Sequence, residues 1–169
     1  MGMVKRIISG GQTGADRAAL DFALQVGIEC CGWIPKGRMA EDGVISACYP
    51  NLVETESDDP RIRTERNVRD SDATLLITRG APTGGSAFTV EVATRLNKPV
   101  LHIDVVRETG EHILPRICQW LQNLLPAILN VAGSRASEDR EIYAFTKALL
   151  EGAFLAMNSK DKRCTGFCL

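Results

Sequence analysis

The strongest constraint on the fold is a glycine-rich turn at residues 9–16, Ser-Gly-Gly-Gln-Thr-Gly-Ala-Asp, which joins two different apolar patterns. Before it, residues 4–8 are rich in β-branched side chains, as in a short strand. After it, apolar residues recur at the spacing of one helical face, namely Ala15, Ala18, Ala19, Phe22, Ala23 and Val26. The sequence therefore predicts a strand, a tight turn and a helix in succession.

The same turn predicts a binding site for an anion, because glycines let a phosphate approach main-chain N–H groups at the positive end of a helix. Gly11 is the position at which a side chain would fill the space of the phosphate. A tight turn without any ligand is the alternative. The candidate binding residues here are Gly10, Gly11, Gln12, Thr13, Gly14 and Asp16.

The turn matches the dinucleotide fingerprint G-x-G-x-x-G only in part, since Ser9 stands in place of the first glycine. No acidic residue follows about 20 positions on to hold a ribose hydroxyl. The turn also lacks the Gly-Lys-Ser/Thr ending of a P-loop. Ordinary NAD binding and ATP hydrolysis are both disfavoured.

Three further strands are predicted at 28–33, 73–78 and 128–132. Each is followed by a turn whose residues are suited to bind an anion. The second of these turns is again rich in glycine, and the third carries an arginine whose guanidinium suits an anion. Ligands of parallel α/β sheets bind at the carboxyl ends of the strands, so we expect one shared crevice. The candidate residues in these turns are Lys36, Thr83, Gly84, Gly85, Ser86, Gly133, Ser134 and Arg135.

The alternation of strands and helices predicts an α/β fold, a three-layer Rossmann-like open and mostly parallel sheet of about six strands with helices on both faces. We expect a single ligand-binding domain over residues 1–158 and a flexible tail over 159–169. Residues 36–50 lack periodicity and are expected to form a long structured loop. Two helices are expected to begin at Pro115 and at about Ser137.

A charged helix beginning at Pro60 has few apolar residues on any face. Paired charges on a solvated face are one interpretation. The other is that one end of the helix, around Arg63, Thr64 and Asn67, contacts a ligand or a partner subunit.

The 169 residues carry a net charge of −1, so no overall field attracts the chain to nucleic acid or to a membrane. No apolar run is long enough to span a bilayer and no signal-peptide pattern is present, so we expect a cytoplasmic protein. The six cysteines are expected to be reduced. Cys164 and Cys168 are weak evidence for a metal, and we predict no metal site.

The last predicted helix, about 137–157, carries two adjacent apolar stripes. So wide an apolar surface exceeds what one sheet covers, and it suggests a subunit interface in a homodimer or homotetramer.

Four segments carry a resemblance to a known family, namely residues 8–17 (ISGGQTGADR), 63–74 (RTERNVRDSDAT), 83–86 (TGGS) and 129–135 (LNVAGSR). Together they resemble the molybdenum carrier proteins. These proteins are similar to the molybdenum-cofactor carrier of algae, within a Rossmann-like group that includes the lysine-decarboxylase-like phosphoribohydrolases. The resemblance covers residues 4–158.

This resemblance implies a homo-oligomeric carrier of the molybdenum cofactor, whose molybdopterin bears a phosphate, with a molybdoenzyme as the acceptor. A related nucleotide-like compound is an alternative ligand. The alternative is a phosphoribohydrolase-like hydrolase using Asp16 or Glu91. The phosphoribohydrolase motif Pro-Gly-Gly-x-Gly-Thr-x-x-Glu is altered here, and no Ser/His/Asp or Cys/His pairing is evident, so binding is favoured over catalysis.

Overall fold

The computed structural model describes residues 4–108 and 110–164, with side chains described as far as Ser159 in the last helix. The strands are β1 (Arg6–Ile8), β2 (Glu29–Ile34), β3 (Met39–Ala40), β4 (Gly43–Val44), β5 (Leu52–Glu54), β6 (Ala73–Thr78), β7 (Val100–Asp104) and β8 (Ile128–Gly133). The helices are α1 (Ala15–Val26), α2 (Pro60–Arg69), α3 (Gly84–Arg95), α4 (Gly110–Leu124) and α5 (Ile142–Cys164).

Six strands form one parallel sheet in the order β5-β2-β1-β8-β6-β7. The last strand, β8, returns to lie between β1 and β6, so that Leu129 pairs with both Ile7 and Ala73. All six residues of β6 are buried, as its continuous apolar sequence predicts for a central strand.

Helices cover both faces of this sheet. On one face α5 packs against α1 and α4, and on the other α2 packs against α3. The first face holds the larger apolar core, whereas the second holds a small cluster of Val68, Val92 and Ala93. The predicted three-layer Rossmann-like fold is confirmed.

The segment 36–50, expected to be a structured loop, contains a 3₁₀ turn at Lys36–Arg38 followed by a two-stranded hairpin, β3-β4. Ile45 directly after the hairpin is buried in the core, which holds this end of the segment against the sheet. The hairpin tip reaches the first glycine turn through contacts described below.

Two helix starts differ from the prediction. The helix α4 begins at Gly110 and contains Pro115 in its interior, because Ile113 in the preceding turn is fully buried and keeps that turn on the core. The helix α5 begins at Ile142 rather than near Ser137. The Glu138 carboxylate accepts a hydrogen bond from the Arg135 N–H and Asp139 accepts one from the Glu141 N–H, so these acids stabilise a turn before the helix.

The end of α5 also differs, since its backbone is helical to Cys164, beyond the predicted end at Met157. The expected flexible tail at 159–169 is therefore helical over its first part. Residues 165–169, with Cys168 among them, lie outside the described residues, as does the side chain of Cys164.

The apolar stripes of α5 are largely covered within this one chain, mainly by α1 and α4. The Phe154 ring meets the Phe22 ring of α1 edge-on at 5.0 Å, and Gly152 lies against Leu114 of α4. Leu155 stays 70% exposed. The width of the stripes, from which a subunit interface was inferred, thus has an explanation that needs no second subunit. The buried members are Ile142, Leu149, Leu150, Ala153 and Phe154.

A shared carboxylate also fixes α5 to α1. Asp21 accepts hydrogen bonds at 2.6 Å from the hydroxyls of both Tyr49 and Tyr143. Burial and the bond to Asp21 raise the pKa of Tyr143 to about 12. Asp21 therefore joins α1, the segment before β5 and the first turn of α5.

We expect Tyr143→Phe to lower the free energy of unfolding by about 1.5 kcal/mol, the low end for a hydrogen bond to a charged group, because the ring stays packed and only the hydroxyl is lost. Urea denaturation measures the change, with Asp21→Asn expected to cost more because it weakens both bonds. Equal free energies of unfolding for the parent and both variants would show that the Asp21 carboxylate does not stabilise the fold.

Candidate functional site

The turns after β1, β8 and β6 lie side by side, because these are three adjacent strands at the centre of the sheet. A small cavity of about 40 Å³ opens between them. Three of the four turns predicted to share a crevice at the carboxyl edge therefore line one cavity, and the turn with Lys36 does not. Its lining residues are Gln12, Asp16, Arg63, Thr64, Thr83, Gly85, Ser86, Thr89, Ala132, Gly133, Arg135 and Glu138.

The structure brings together seven of the residues predicted from the sequence. Gln12, Asp16, Thr83, Gly85, Ser86, Gly133 and Arg135 all line this cavity.

The other seven lie elsewhere. Gly84 lines an adjoining larger cavity, and Gly10 lines a third depression toward the β3-β4 hairpin. Lys36 lies in a separate depression with Glu56 and Asp58, outside the crevice. Gly11, Thr13, Gly14 and Ser134 line none of these cavities.

Three of the main-chain donors of the first glycine turn are occupied by other groups of the chain. The Gln12 N–H donates to Asp16 at 3.3 Å and the Thr13 N–H to the Gln12 side chain at 3.0 Å. The Ala15 N–H donates to the Ser134 carbonyl at 3.1 Å. This start of α1 therefore offers fewer free N–H groups to a phosphate than the sequence suggested.

The glycines of this turn are needed for close packing. A Cβ at Gly10 would overlap the Arg63 guanidinium, and one at Gly14 would overlap the Ser134 carbonyl. Gly11 has a φ of 71° and its missing side chain faces Ile45 and Ile34. The space at Gly11 is therefore directed at the core, and not at a phosphate as its match to the fingerprint suggested.

A buried ion pair forms the floor of the cavity. The Arg63 Nη1 lies 3.2 Å from the Asp16 Oδ2, with both side chains mostly buried. The Arg63 Nε is buried and has no partner among the described residues. Burial raises the pKa of Asp16, against the opposing effects of Arg63, the Gln12 N–H and Arg135. Arg63 and Thr64 thus belong to the site, whereas Asn67 hydrogen-bonds the backbone of Trp33.

The start of α3 has free donors. Its N-cap, Thr83, makes no side-chain capping bond, and within the described residues the N–H groups of Gly84 and Gly85 have no partner. A Cβ at either glycine would meet nothing within 4 Å. The positive end of this helix is therefore open to an anion.

Arg135 adds a second guanidinium to the two cavities that the start of α3 also lines. Its backbone N–H is held by Glu138 at 3.0 Å, which fixes the turn. Its side chain is half-buried and makes no ion pair or hydrogen bond within the described part of the chain. Against the effect of burial, its charge acts to lower the pKa of Asp16 and of Glu41, but no carboxylate of the described residues lies within ion-pair distance of it. Such a half-buried guanidinium is suited to bind an anion.

Glu41, at the tip of the β3-β4 hairpin, joins two of the turns. Its carboxylate accepts hydrogen bonds from the Thr13 hydroxyl and from the hydroxyl and N–H of Ser137. Desolvation acts to raise the pKa of Glu41, but the bonds from Ser137 and Thr13 outweigh it and lower the pKa. The hairpin thereby holds the turn after β1 and the turn after β8 together.

The histidine on β7 is engaged within the sheet. His102 Nε2 lies 2.7 Å from the Thr78 hydroxyl, and burial lowers the pKa of this histidine. Across residues 4–108 and 110–159, no cluster of three or more histidines, cysteines or acids is arranged to hold a metal. No helix in the part of the chain that the structure describes is long and apolar enough to cross a membrane.

A parallel sheet between two helical layers, with its cavity at the carboxyl ends of the central strands, defines a Rossmann-like protein. The chain belongs to the circularly permutated YpsA SLOG family, whose model matches residues 7–154. It is similar to the crystal structure of a putative molybdenum carrier protein from Syntrophus aciditrophicus SB, with 49% identity and a TM-score of 0.86. That match covers 89% of this chain and 94% of the other.

No curated protein sequence matches the chain significantly. The resemblance to the molybdenum carrier proteins, inferred from four short segments, is confirmed by the family model and by this solved structure.

Arg63→Met should destabilise the protein by about 3–5 kcal/mol at pH 8, because it leaves the Asp16 carboxylate buried without its partner. The raised pKa of Asp16 means that its contribution to stability is present at low pH and is lost as the pH rises through the folded-state pKa. Removing Arg63 raises this pKa further. The loss should therefore be larger at pH 8 than at pH 5.

Urea denaturation of the parent and of Arg63→Met at both pH values measures this difference. The double variant Asp16→Asn with Arg63→Met should recover part of the stability at pH 8, since no charge is then buried alone. An identical loss at pH 5 and pH 8 would contradict the ion pair.

Proposed function

We propose that the protein is a carrier that binds a phosphorylated pterin, the molybdenum cofactor, or a related nucleotide-like ligand. The phosphate would lie between the start of α3 and the guanidiniums of Arg63 and Arg135. One observation carries this proposal: the N–H groups of Gly84 and Gly85 are free, and an unpaired Arg135 lines the cavity next to them. A helix N-terminus and a guanidinium are both favourable for phosphate.

The orphaned Nε of Arg63 supports the same location. Asp16 holds one end of this guanidinium and leaves other donors to be satisfied. A buried N–H without a partner costs free energy, so an anion that accepts from it would be stabilised. Asp16 itself would repel a phosphate, and its ion pair with the Arg63 guanidinium offsets this repulsion.

The residues present fit a molybdenum cofactor as the cargo. Thr83, Gly85 and Arg135 would surround its phosphate, and the adjoining cavity of about 400 Å³ would hold the ring system. The name of the solved relative, a putative molybdenum carrier protein, supports this ligand over other phosphorylated compounds. Hydrolase activity stays an untested alternative prediction. The contacts of Asp16 do not specifically favour it.

Transfer to a molybdoenzyme acceptor and a cytoplasmic location are parts of the same proposal, based on the resemblance and on the composition. A homodimer or homotetramer is proposed as well. Its remaining support is the exposed apolar surface of the α1 and α5 layer, where Leu24 is 41%, Val26 45% and Leu155 70% exposed. A monodisperse monomer at micromolar concentration, measured by light scattering, would contradict the proposed homo-oligomer.

Arg135→Ala should weaken binding of 6-hydroxymethylpterin monophosphate by about 1.5–3 kcal/mol, the range for a hydrogen bond to a charged group. Calorimetry measures the affinity. Arg140→Ala is the matched control, since Arg140 is exposed on the same turn and lines none of the cavities around the crevice. If Arg135→Ala binds the phosphorylated pterin as tightly as the control does, Arg135 does not contact the phosphate.

Gly85→Pro should also weaken this ligand, by about 1–3 kcal/mol, because it removes one main-chain donor while proline is tolerated in the first turn of a helix. Gly85→Ala keeps the main-chain donor and adds only a methyl group, so it should retain more of the affinity than Gly85→Pro. Thermal shift with phosphorylated and dephosphorylated pterin separates loss of binding from loss of folding. Equal stabilisation of both variants by the phosphorylated pterin would contradict a phosphate at α3.

A further inference from the structure

A second cavity of about 400 Å³ adjoins the small one and lies between α2 and α3. The two cavities share four lining residues, so a ligand anchored in the first extends directly into the second. This volume lies within the range of small-molecule pockets. The shared residues are Arg63, Thr64, Gly85 and Arg135.

One wall of this cavity is suited to a flat aromatic ring. The Arg61 guanidinium carbon lies 4.2 Å from the centroid of the Phe88 ring, and both side chains line the cavity. Phe88 is half-buried and packs on the Val68 cluster, which fixes its position. Heteroaromatic rings stack favourably on arginine planes and on aromatic side chains.

A carboxylate lies on the same wall. Glu91 follows Phe88 by three residues on α3, so that the two side chains are neighbours on one helical face. Glu91 lines the cavity, is exposed, and has no hydrogen bond or ion pair within the described ranges. An ionised carboxylate only accepts hydrogen bonds, so it prefers a ring edge made of N–H donors.

We infer that this second cavity is a ring subsite selective for heterocycles that carry an amino group next to a ring N–H. This edge is common to guanine and to 2-amino-4-oxopteridines. Two adjacent N–H donors match the two oxygens of Glu91. Adenine presents a ring nitrogen lone pair beside its amino group, and this lone pair would face the carboxylate. The inference rests on the proposed function, since the phosphate subsite anchors the ligand.

The test compares GMP, IMP and AMP, which share ribose and phosphate and differ only in the base. We expect the parent to bind GMP about tenfold more tightly than IMP or AMP, as measured by calorimetry. Glu91→Gln should bring GMP to within about twofold of IMP, and it should leave IMP and AMP nearly unchanged. Glu29→Gln is the matched control, because Glu29 is the first residue of β2 and lies at the amino ends of the strands, away from the crevice. It should keep the preference for GMP.

A second variant tests the stacking wall. Arg61→Ala should weaken all three nucleotides by a similar factor, about fivefold, and leave binding of inorganic pyrophosphate unchanged. Circular dichroism verifies that this exposed substitution leaves the fold intact.

Equal affinities for GMP, IMP and AMP that still depend on Arg135 would overturn the ring subsite and leave the proposed phosphate site standing. A GMP preference that persists in Glu91→Gln would overturn the role of Glu91 in the same way. If neither the nucleotides nor the pterin phosphate binds, the proposed function fails, and the ring subsite fails with it.

Discussion

At the carboxyl edge of the central strands, backbone packs directly on backbone, and the arrangement of the site depends on this contact. A Cβ at Gly133 would overlap the Ile77 carbonyl of the neighbouring strand, and one at Gly14 would overlap the Ser134 carbonyl. These glycines let three turns and the start of α1 occupy one small volume. They act as packing residues first, and the cavity is the space that remains between the turns.

The buried pair of Arg63 and Asp16 depends on the same crowding. Arg63 comes from α2 and crosses over Gly10, whose lack of a side chain gives the guanidinium its place beside Asp16. Burying a charged pair is costly unless the geometry is good, and a purely structural role could be filled by apolar residues at less cost. The unpartnered Nε of Arg63 is consistent with a pair that is completed by an anion.

Local patterns in the sequence predicted the fold class and most elements, because strand, turn and helix signals here agree over short windows. The contacts that build the site are long-range and could not be predicted in this way. Asp16 meets Arg63 across 47 residues, and Glu41 is bonded to Thr13 and to Ser137, which are 28 and 96 residues away from it in the sequence. The start of α5 was misplaced because the Glu138 and Asp139 carboxylates bind the turn instead of beginning a helix.

Long-range contacts also decide which of the two glycine turns has free N–H donors for a phosphate. Their sequences look equivalent, but only the structure reveals that Ser134 and Asp16 occupy donors at the start of α1, while those of Gly84 and Gly85 are free. A crystal structure of the protein with 6-hydroxymethylpterin monophosphate tests this distinction most directly. We predict the phosphate within hydrogen-bond distance of the Gly84 or Gly85 N–H and of the Arg135 guanidinium. A phosphate bound at the Gly11 and Thr13 N–H groups, away from α3, would contradict the account.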